Sequence, residues 1–131
     1  KKKLFFLSGS RADFDLIFPI YKFVNNSQKF ITRLIVTGSN LDKKYSNSKK
    51  ISFNKSIFKI RVNLKSSNSK NFSKVISSYF HKFYHFLYTQ KPDVVVMECM
   101  AVQPQYQWIS EHQMVKSDIG VITNARPDHL D

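Results

Sequence analysis

The chain has 131 residues, a formal net charge of +12 and a hydrophobic fraction of 42%. This length and composition fit a globular domain with a real hydrophobic core. The apolar run Leu4–Leu7 is too short for the core of a signal peptide or for a segment that spans a bilayer. The single cysteine, Cys99, excludes an internal disulfide framework. We therefore expect a cytoplasmic protein with no membrane insertion.

The charges are unevenly distributed along the chain. Residues 1–91 hold 19 of the 21 Lys and Arg residues, only three acidic residues and all 12 Phe, whereas residues 92–131 hold two basic and six acidic residues. This abrupt change suggests two sequence origins within a fragment of a longer protein. The lysines are scattered, and no RNA-recognition, zinc-finger or helix-turn-helix signature accompanies them, so we do not expect nucleic-acid binding.

The first predicted elements are a strand and a helix. Leu4–Ser8 is a short apolar run, typical of a strand that is buried on both faces. Asp13 is suited to cap the helix that follows, and Pro19 is expected to bend that helix. The predicted apolar face of the helix consists of Leu16, Ile17, Ile20, Tyr21 and Val24.

Two more strands and a long helix follow. Ile31–Thr37 predicts a second strand, residues 39–56 a long polar loop, and the alternating segment Ile57–Asn63 a third strand near a sheet edge. A stripe at spacings of three and four predicts a helix, with the members Phe72, Val75, Ile76, Tyr79, Phe80, Phe83, Phe86 and Leu87.

Two histidines lie on this helix at the spacing of a metal-binding pair. His81 and His85 are four residues apart, but they lie off the apolar stripe and no carboxylate is nearby in the sequence. We interpret them as solvated surface residues.

The remaining pattern completes an α/β domain. Asp93–Cys99 predicts a fourth strand, Pro104 begins a helix that runs to about Lys116, and Ile119–Thr123 predicts a fifth strand. We expect residues 1–131 to form a single three-layer Rossmann-like domain with a parallel sheet of about five strands. The fourth strand should lie beside the first and the fifth beyond the fourth. Ligands of such sheets bind beyond the carboxyl ends of the strands.

The turn after the first strand reads Gly9-Ser10-Arg11-Ala12-Asp13-Phe14. Gly9 permits a sharp turn, the helix N-terminus favours an anion, and Arg11 is suited to a forked contact with a phosphate. From these residues alone, a plain turn in which Arg11 pairs with Asp13 or Asp15 is the favoured interpretation.

Three segments together point to a known family. The turn at residues 9–14, Val36-Thr37-Gly38 and Lys91-Pro92-Asp93 give residues 1–96 a pattern that resembles the N-terminal Rossmann-like domain of hydrolysing UDP-N-acetylglucosamine 2-epimerases. The resemblance implies that a UDP-sugar binds at Gly9, Ser10, Arg11 and Asp13, in amino-sugar biosynthesis and without a cofactor.

The sequence also departs from the epimerase pattern. Where that family has a catalytic Asp after the fourth strand, this chain has Glu98-Cys99-Met100, and Asn40 replaces a family His. The second domain that carries most of the nucleotide contacts is not part of these residues. Catalytic residues therefore stay unknown, and we expect no catalysis by this chain alone.

The second signature lies in residues 94–131. The segments Val-Val-Met-Glu-Cys-Met-Ala, Gln-Trp-Ile-Ser-Glu-His and Thr-Asn-x-x-x-Asp-His-x-Asp resemble the ATP-dependent subunit of poly-gamma-glutamate synthase, a Mur-type amide ligase involved in capsule biosynthesis. The resemblance implies ATP and Mg²⁺ as cofactors, Glu98 and His129 as metal ligands, and Asn124 as a nucleotide contact. The alternative is that Glu98 and His129 are polar caps of strand ends.

A phosphate-binding loop is missing from these 131 residues. The glycines are Gly9, Gly38 and Gly120, and none precedes a lysine, so no Gly-Lys-Ser/Thr loop is present. We expect no ATP hydrolysis by this chain.

Three functional interpretations follow. The first is an epimerase-like segment, residues 1–93, joined to a ligase-like segment, residues 94–131, in an inactive epimerase fragment with a UDP-sugar as its partner. The alternatives are a fragment of an amide ligase and a non-catalytic chimeric fold. Whether the chain is an enzyme, and whether it forms oligomers, is left open.

Overall fold

A computed structural model of the chain describes residues 1–41, 57–61, 69–98, 108–109, 112–113, 116 and 118–120. The chain divides into two compact units, Lys1–Glu98 and Cys99–Asp131. Among the described residues, no helix is long and apolar enough to cross a membrane.

The first unit contains a parallel sheet of four described strands. These are β1 (Lys3–Ser8), β2 (Ile31–Val36), β3 (Ile57–Lys59) and β4 (Val94–Met97), in the order β3-β2-β1-β4. β1 lies in the centre, where Leu4 is opposite Thr32 of β2 and Val94 of β4. The predicted placement of the fourth strand beside the first is confirmed. The carboxyl ends of all four strands therefore meet at one edge of the sheet.

Helix α1 (Arg11–Asn26) covers one face of this sheet. Its buried side chains Phe14, Ile17 and Tyr21 pack with Phe6 of β1 and Leu34 of β2 in one core cluster. Ser10 is the N-cap residue and forms a capping box with Asp13. This arrangement stabilises the first turn, because each partner satisfies a backbone N–H that has no acceptor within the helix.

Helix α2 (Ser69–Gln90) covers the opposite face. Phe86 packs with Phe5 of β1 and Ile35 of β2 in a second core cluster, which also includes Ile60. Phe5 and Phe6 are neighbours in a strand, so their side chains point to opposite faces. The two clusters therefore define a helix–sheet–helix arrangement with three layers.

The predicted helix faces are only partly correct. On α1, Leu16 and Ile20 are exposed, by 62% and 54%, and Phe14 is buried in their place. On α2, Ile76 and Phe80 are likewise exposed. Both helices carry apolar residues on more than one side, so the periodicity alone does not determine which stripe contacts the sheet.

The strand predictions also need correction. The described residues form four strands rather than five, because Ile119 and Gly120 do not lie in a strand and residues 121–123 lie outside the described part. β3 is at the end of the described strand order, as predicted, but it covers only Ile57–Lys59. β4 is only partly buried, since Val94 and Met97 are exposed at the other end of that order.

The second unit is described at a few positions. Trp108, Ile109, His112 and Gln113 have helical backbone, within the helix predicted from Pro104 to Lys116. The Trp108 and His112 rings lie 5.3 Å apart. Lys116 has a φ of 51°, which is incompatible with continuing a right-handed helix.

Candidate functional site

The candidate site lies at the carboxyl ends of β1 and β4, where Asp13 is the central side chain. Asp13 is buried, and its carboxylate accepts hydrogen bonds from the backbone N–H groups of Gly9 at 2.8 Å and Ser10 at 2.9 Å. The turn that resembles a nucleotide-binding loop therefore directs its amides towards its own carboxylate. Asp13 occupies the position at the start of α1 that an anionic ligand would otherwise favour.

A chain of buried polar groups extends from Asp13 towards β2. The Ser8 hydroxyl donates to Asp13 Oδ1 at 2.7 Å, and Asn40 Nδ2 donates to Ser8 Oγ at 2.8 Å. Since the Ser8 proton is directed to Asp13, Ser8 Oγ accepts from Asn40, which fixes the orientation of the Asn40 amide. The other amide atom, Asn40 Oδ1, is buried without a hydrogen-bond partner.

Asn40 is held in place by a close approach between two loops. It lies in a short 3-10 turn, Gly38–Leu41, after β2, and the Ser39 N–H donates to the Gly9 carbonyl at 3.1 Å. Gly38 has a φ of +60°, and a Cβ atom there would lie 2.3 Å from the Gly9 oxygen. Glycine is therefore required at position 38 both by the backbone conformation and by contact with the turn after β1.

The sequence assigned the special backbone role to Gly9, and the structure assigns it to Gly38. A Cβ atom at Gly9 would make only ordinary contacts, at 3.9 Å or more, with Asp13 and Thr37. Gly9 contributes its carbonyl and its N–H group instead.

Two ionisable groups of other elements respond to the charge of Asp13. Burial, followed by the negative charge of Asp13, raises the pKa of the Glu98 carboxyl at the end of β4. The same two causes, in the same order, raise the pKa of the Tyr79 phenol on α2. Asp13, Tyr79 and Glu98 thus belong to one electrostatic environment at this edge of the sheet.

The residues predicted for UDP binding come together only in part. Gly9, Ser10 and Asp13 form one hydrogen-bonded turn, and Arg11 begins α1, but its side chain lies outside the described part of the structure. UDP binding at this turn stays an untested prediction.

Of the residues predicted for the ligase-like site, the structure describes Glu98. Its side chain is exposed just after the end of β4. Asn124 and His129 lie outside the described residues, so their roles stay predictions. In the described part of the chain, no group of three or more His, Cys, Asp or Glu side chains is arranged to hold a metal ion.

Sequence reasoning missed Ser8, Tyr79 and the hydrogen-bonding role of Asn40. The sequence pattern predicts Ser8 only as the last residue of a strand. It predicts Tyr79 only as a member of an apolar helix stripe. A usable signal was the polar residue Ser8 at the end of an apolar strand that precedes a helix, because polar groups buried there need partners.

A separate groove is lined by residues of α2 and by residues in and just after β3. Phe58, Ile60 and Phe86 contribute its apolar surface, while His81, Lys82 and His85 contribute polar and charged groups. The prediction that both histidines are exposed is confirmed.

Comparison with known proteins finds a short segment that is similar to two CapB proteins. The capsule biosynthesis protein CapB of Bacillus anthracis is 46% identical over 39 residues, which is 30% of this chain and 8% of that protein. The PGA synthase CapB of Bacillus subtilis is also 46% identical over 39 residues, 30% of this chain and 10% of that protein. The chain therefore spans no more than a tenth of the length of these relatives. No family model matches the chain.

These relatives correct the first functional interpretation. Both are CapB proteins, and neither is a sugar-nucleotide epimerase. The assignment of the chain to a UDP-N-acetylglucosamine 2-epimerase is wrong. Residues 9–14 form a βα turn in which the Asp13 carboxylate accepts from the backbone N–H groups of Gly9 and Ser10. What the comparisons support is the alternative, a segment related to poly-gamma-glutamate synthase.

Proposed function

We propose that this chain is part of an ATP-dependent amide ligase of the poly-gamma-glutamate synthase type. The observation that carries this proposal is the 46% identity over 39 residues with two CapB proteins. The ligase-like pattern identified in residues 94–131 has nearly the same length and contains Glu98, Asn124 and His129. The parallel sheet between two helices suits a Rossmann-like nucleotide-binding domain.

The position of Glu98 fits a role as a ligand of Mg²⁺. Its side chain is exposed at the carboxyl end of β4, next to the central strand β1. Partial burial, followed by the negative charge of Asp13, raises the pKa of its carboxyl group. A divalent cation at this position relieves the repulsion between the two carboxylates, and carboxylate oxygens are the ligands that Mg²⁺ prefers. In a ligase, such an ion neutralises charge on the reacting phosphate groups.

The phosphate-binding loop has to come from polypeptide outside these 131 residues. None of the three glycines precedes a lysine, so the Gly-Lys-Ser/Thr cradle is not encoded here. We therefore assign to this chain a share of the metal and nucleotide contacts, and we expect no ATP hydrolysis by it alone.

The metal role is tested with Mn²⁺, a paramagnetic substitute for Mg²⁺. We expect Mn²⁺ to broaden the amide NMR signals of Met97 and Glu98 in the labelled chain, and excess Mg²⁺ to reverse the broadening. Glu98→Gln should abolish the effect. Asp15→Asn, which removes the same charge from an exposed position on α1, should preserve it.

The proposal fails if the Glu98→Gln variant is broadened like the wild type, or if neither chain is broadened at these amides. A second arm adds ATP with Mg²⁺. The Asn124 signals should shift in the wild type, and the Asn124→Ala variant should lose the nucleotide-dependent shifts of its neighbours.

A further inference from the structure

The groove between β3 and α2 combines an apolar floor with a cationic rim. The Phe58 and Phe86 rings lie 4.2 Å apart and, with Ile60, form the floor. His81, Lys82 and His85 line the same groove from α2. Its volume is about 510 Å³, which is within the range of ligand-binding clefts.

The charge of this groove favours an anionic ligand. Among the described residues that line it, none is acidic. Lys82 is held in position because its ammonium group donates to the Arg61 carbonyl at 2.7 Å, which leaves two of its three donors for another acceptor. The basic side chains that line the described part of the groove are therefore His81, Lys82 and His85.

A metal ion is a poorer fit for the same residues. His81 and His85 have the spacing of a metal pair, but the charge of Lys82 repels a cation, and the described residues provide no third ligand. The net charge of +12 acts in the same direction.

The spacing of the cationic groups matches that of an extended peptide. His81 and His85 are separated by about 6 Å along the helix axis, from a rise of about 1.5 Å per residue. Side chains on one face of an extended chain repeat every two residues, at about 6.6 Å. A glutamate side chain has two methylene groups, which can contact Phe58 and Phe86 while the carboxylate reaches the rim.

We propose that this groove binds an acidic polypeptide in an extended conformation, with alternate carboxylates at His81 and His85 and a further carboxylate at Lys82. Its lining does not include Asp13, Tyr79 or Glu98, and the proposal does not depend on the ligase function proposed above.

Fluorescence anisotropy with labelled octa-L-glutamate tests this proposal, at pH 6 and low salt. A groove variant carries His81→Gln, Lys82→Gln and His85→Gln. A control variant carries Lys22→Gln, Lys29→Gln and Lys74→Gln, which remove exposed charges outside the groove. Glutamine is a good helix former, so both variants should keep the far-UV circular dichroism of the wild type.

We expect the groove variant to bind octaglutamate about tenfold more weakly than the wild type, because it loses three exposed charge pairs. The affinity of the control variant should fall by no more than about twofold. Equal losses in the two variants, or no binding by the wild type, would overturn the proposal. An oligodeoxynucleotide of equal charge that binds more tightly than octaglutamate, with the same dependence on the groove, would also overturn it.

Discussion

At the scale of single residues, Asp13 joins the polar groups that lie at the carboxyl ends of the strands. Its carboxylate accepts from the Ser8 hydroxyl and from two backbone N–H groups, and it closes the capping box of α1. Hydrogen bonds to a charged acceptor are stronger than neutral ones, and donors left without a partner in a buried place are costly. A single side chain thus stabilises the turn, the helix start and the approach of Asn40.

Replacing Asp13 should destabilise the protein strongly. We expect Asp13→Ala to lower the free energy of unfolding by about 2–4 kcal/mol, because buried donors lose their acceptor. Urea denaturation followed by circular dichroism measures this change. Asp118→Ala, which removes the same charge from an exposed position outside this network, should change it by less than about 0.5 kcal/mol. Similar losses in both variants would show that general charge, rather than the network, is responsible.

Alanine substitutions at Gly38 and Gly120 form a second matched pair of test and control. An alanine at position 38 meets the Gly9 carbonyl and a positive φ, whereas a Cβ atom at Gly120 has nothing within 4 Å. We expect Gly38→Ala to reduce the free energy of unfolding by at least about 1–3 kcal/mol, and Gly120→Ala to leave it nearly unchanged. A neutral Gly38→Ala substitution in the same urea titration would contradict this geometry.

Glu98 makes stability depend on pH. A carboxyl pKa that is raised on folding means that the folded state binds this proton more tightly than the unfolded state, so its favourable contribution is lost as the pH rises through the raised pKa. The free energy of unfolding of the Glu98→Gln variant should therefore be slightly higher than that of the wild type at pH 7. Below pH 4 the two values should be equal. We expect a difference below about 0.5 kcal/mol, because solvent screens an exposed side chain. A variant that is less stable at pH 7 would contradict this sign.

At the scale of elements, α1 contains a proline in its interior. Pro19 lies in the middle of Arg11–Asn26, yet the helix continues through it. A proline there lacks the N–H that would bond to residue 15 and crowds the preceding turn. The helix persists because Phe14, Ile17 and Tyr21 pack on the sheet.

Pro19→Ala should therefore stabilise the protein. We expect the free energy of unfolding to rise by about 1–2 kcal/mol, since the gain in helix propensity exceeds the loss of rigidity in the unfolded chain. Thermal unfolding followed at 222 nm measures the change, with Lys22→Ala as an exposed control on the same helix. An unchanged or lower midpoint would indicate that the proline fits the helix without strain.

The sequence pattern predicts the order and type of the first elements correctly. It does not predict which faces of the helices are exposed. The run Leu4–Ser8 and the stripe of α2 gave a central strand and a long helix, because uninterrupted patterns of this kind have few alternatives. The predicted buried face of α1 was wrong at Leu16 and Ile20, which are exposed. When a helix is apolar on two sides, only its tertiary contacts determine which side is buried. At the site, Asp13 was recognised, whereas Ser8 and Asn40 depend on two loops that are distant in sequence.

At the scale of the whole molecule, positive charge dominates. The formal net charge is +12, and most of the basic residues precede residue 92. Like charges destabilise a compact state through mutual repulsion, and salt screens that repulsion beyond about 10 Å at 0.1 M.

Added sodium chloride should therefore stabilise the protein. We expect the free energy of unfolding to rise by about 1 kcal/mol as the salt concentration increases from about 0.02 to 0.5 M. The double variant Lys22→Glu/Lys29→Glu lowers the net charge by four and should show a smaller rise. A loss of stability with salt would mean that attractive ion pairs outweigh the repulsion.

The pairing of β1 with β4 also has a consequence for how the chain acquires its structure during synthesis. Leu4 of the central strand is opposite Val94, so one edge of β1 obtains its partner only after some ninety further residues have been made. Contacts this distant in sequence slow folding, because the chain between them must first be ordered. Until then, Phe5 and Phe6 belong to a strand with an open edge, which is a site where nascent chains aggregate or recruit chaperones. Folding of the first unit is thus tied to completion of its last strand.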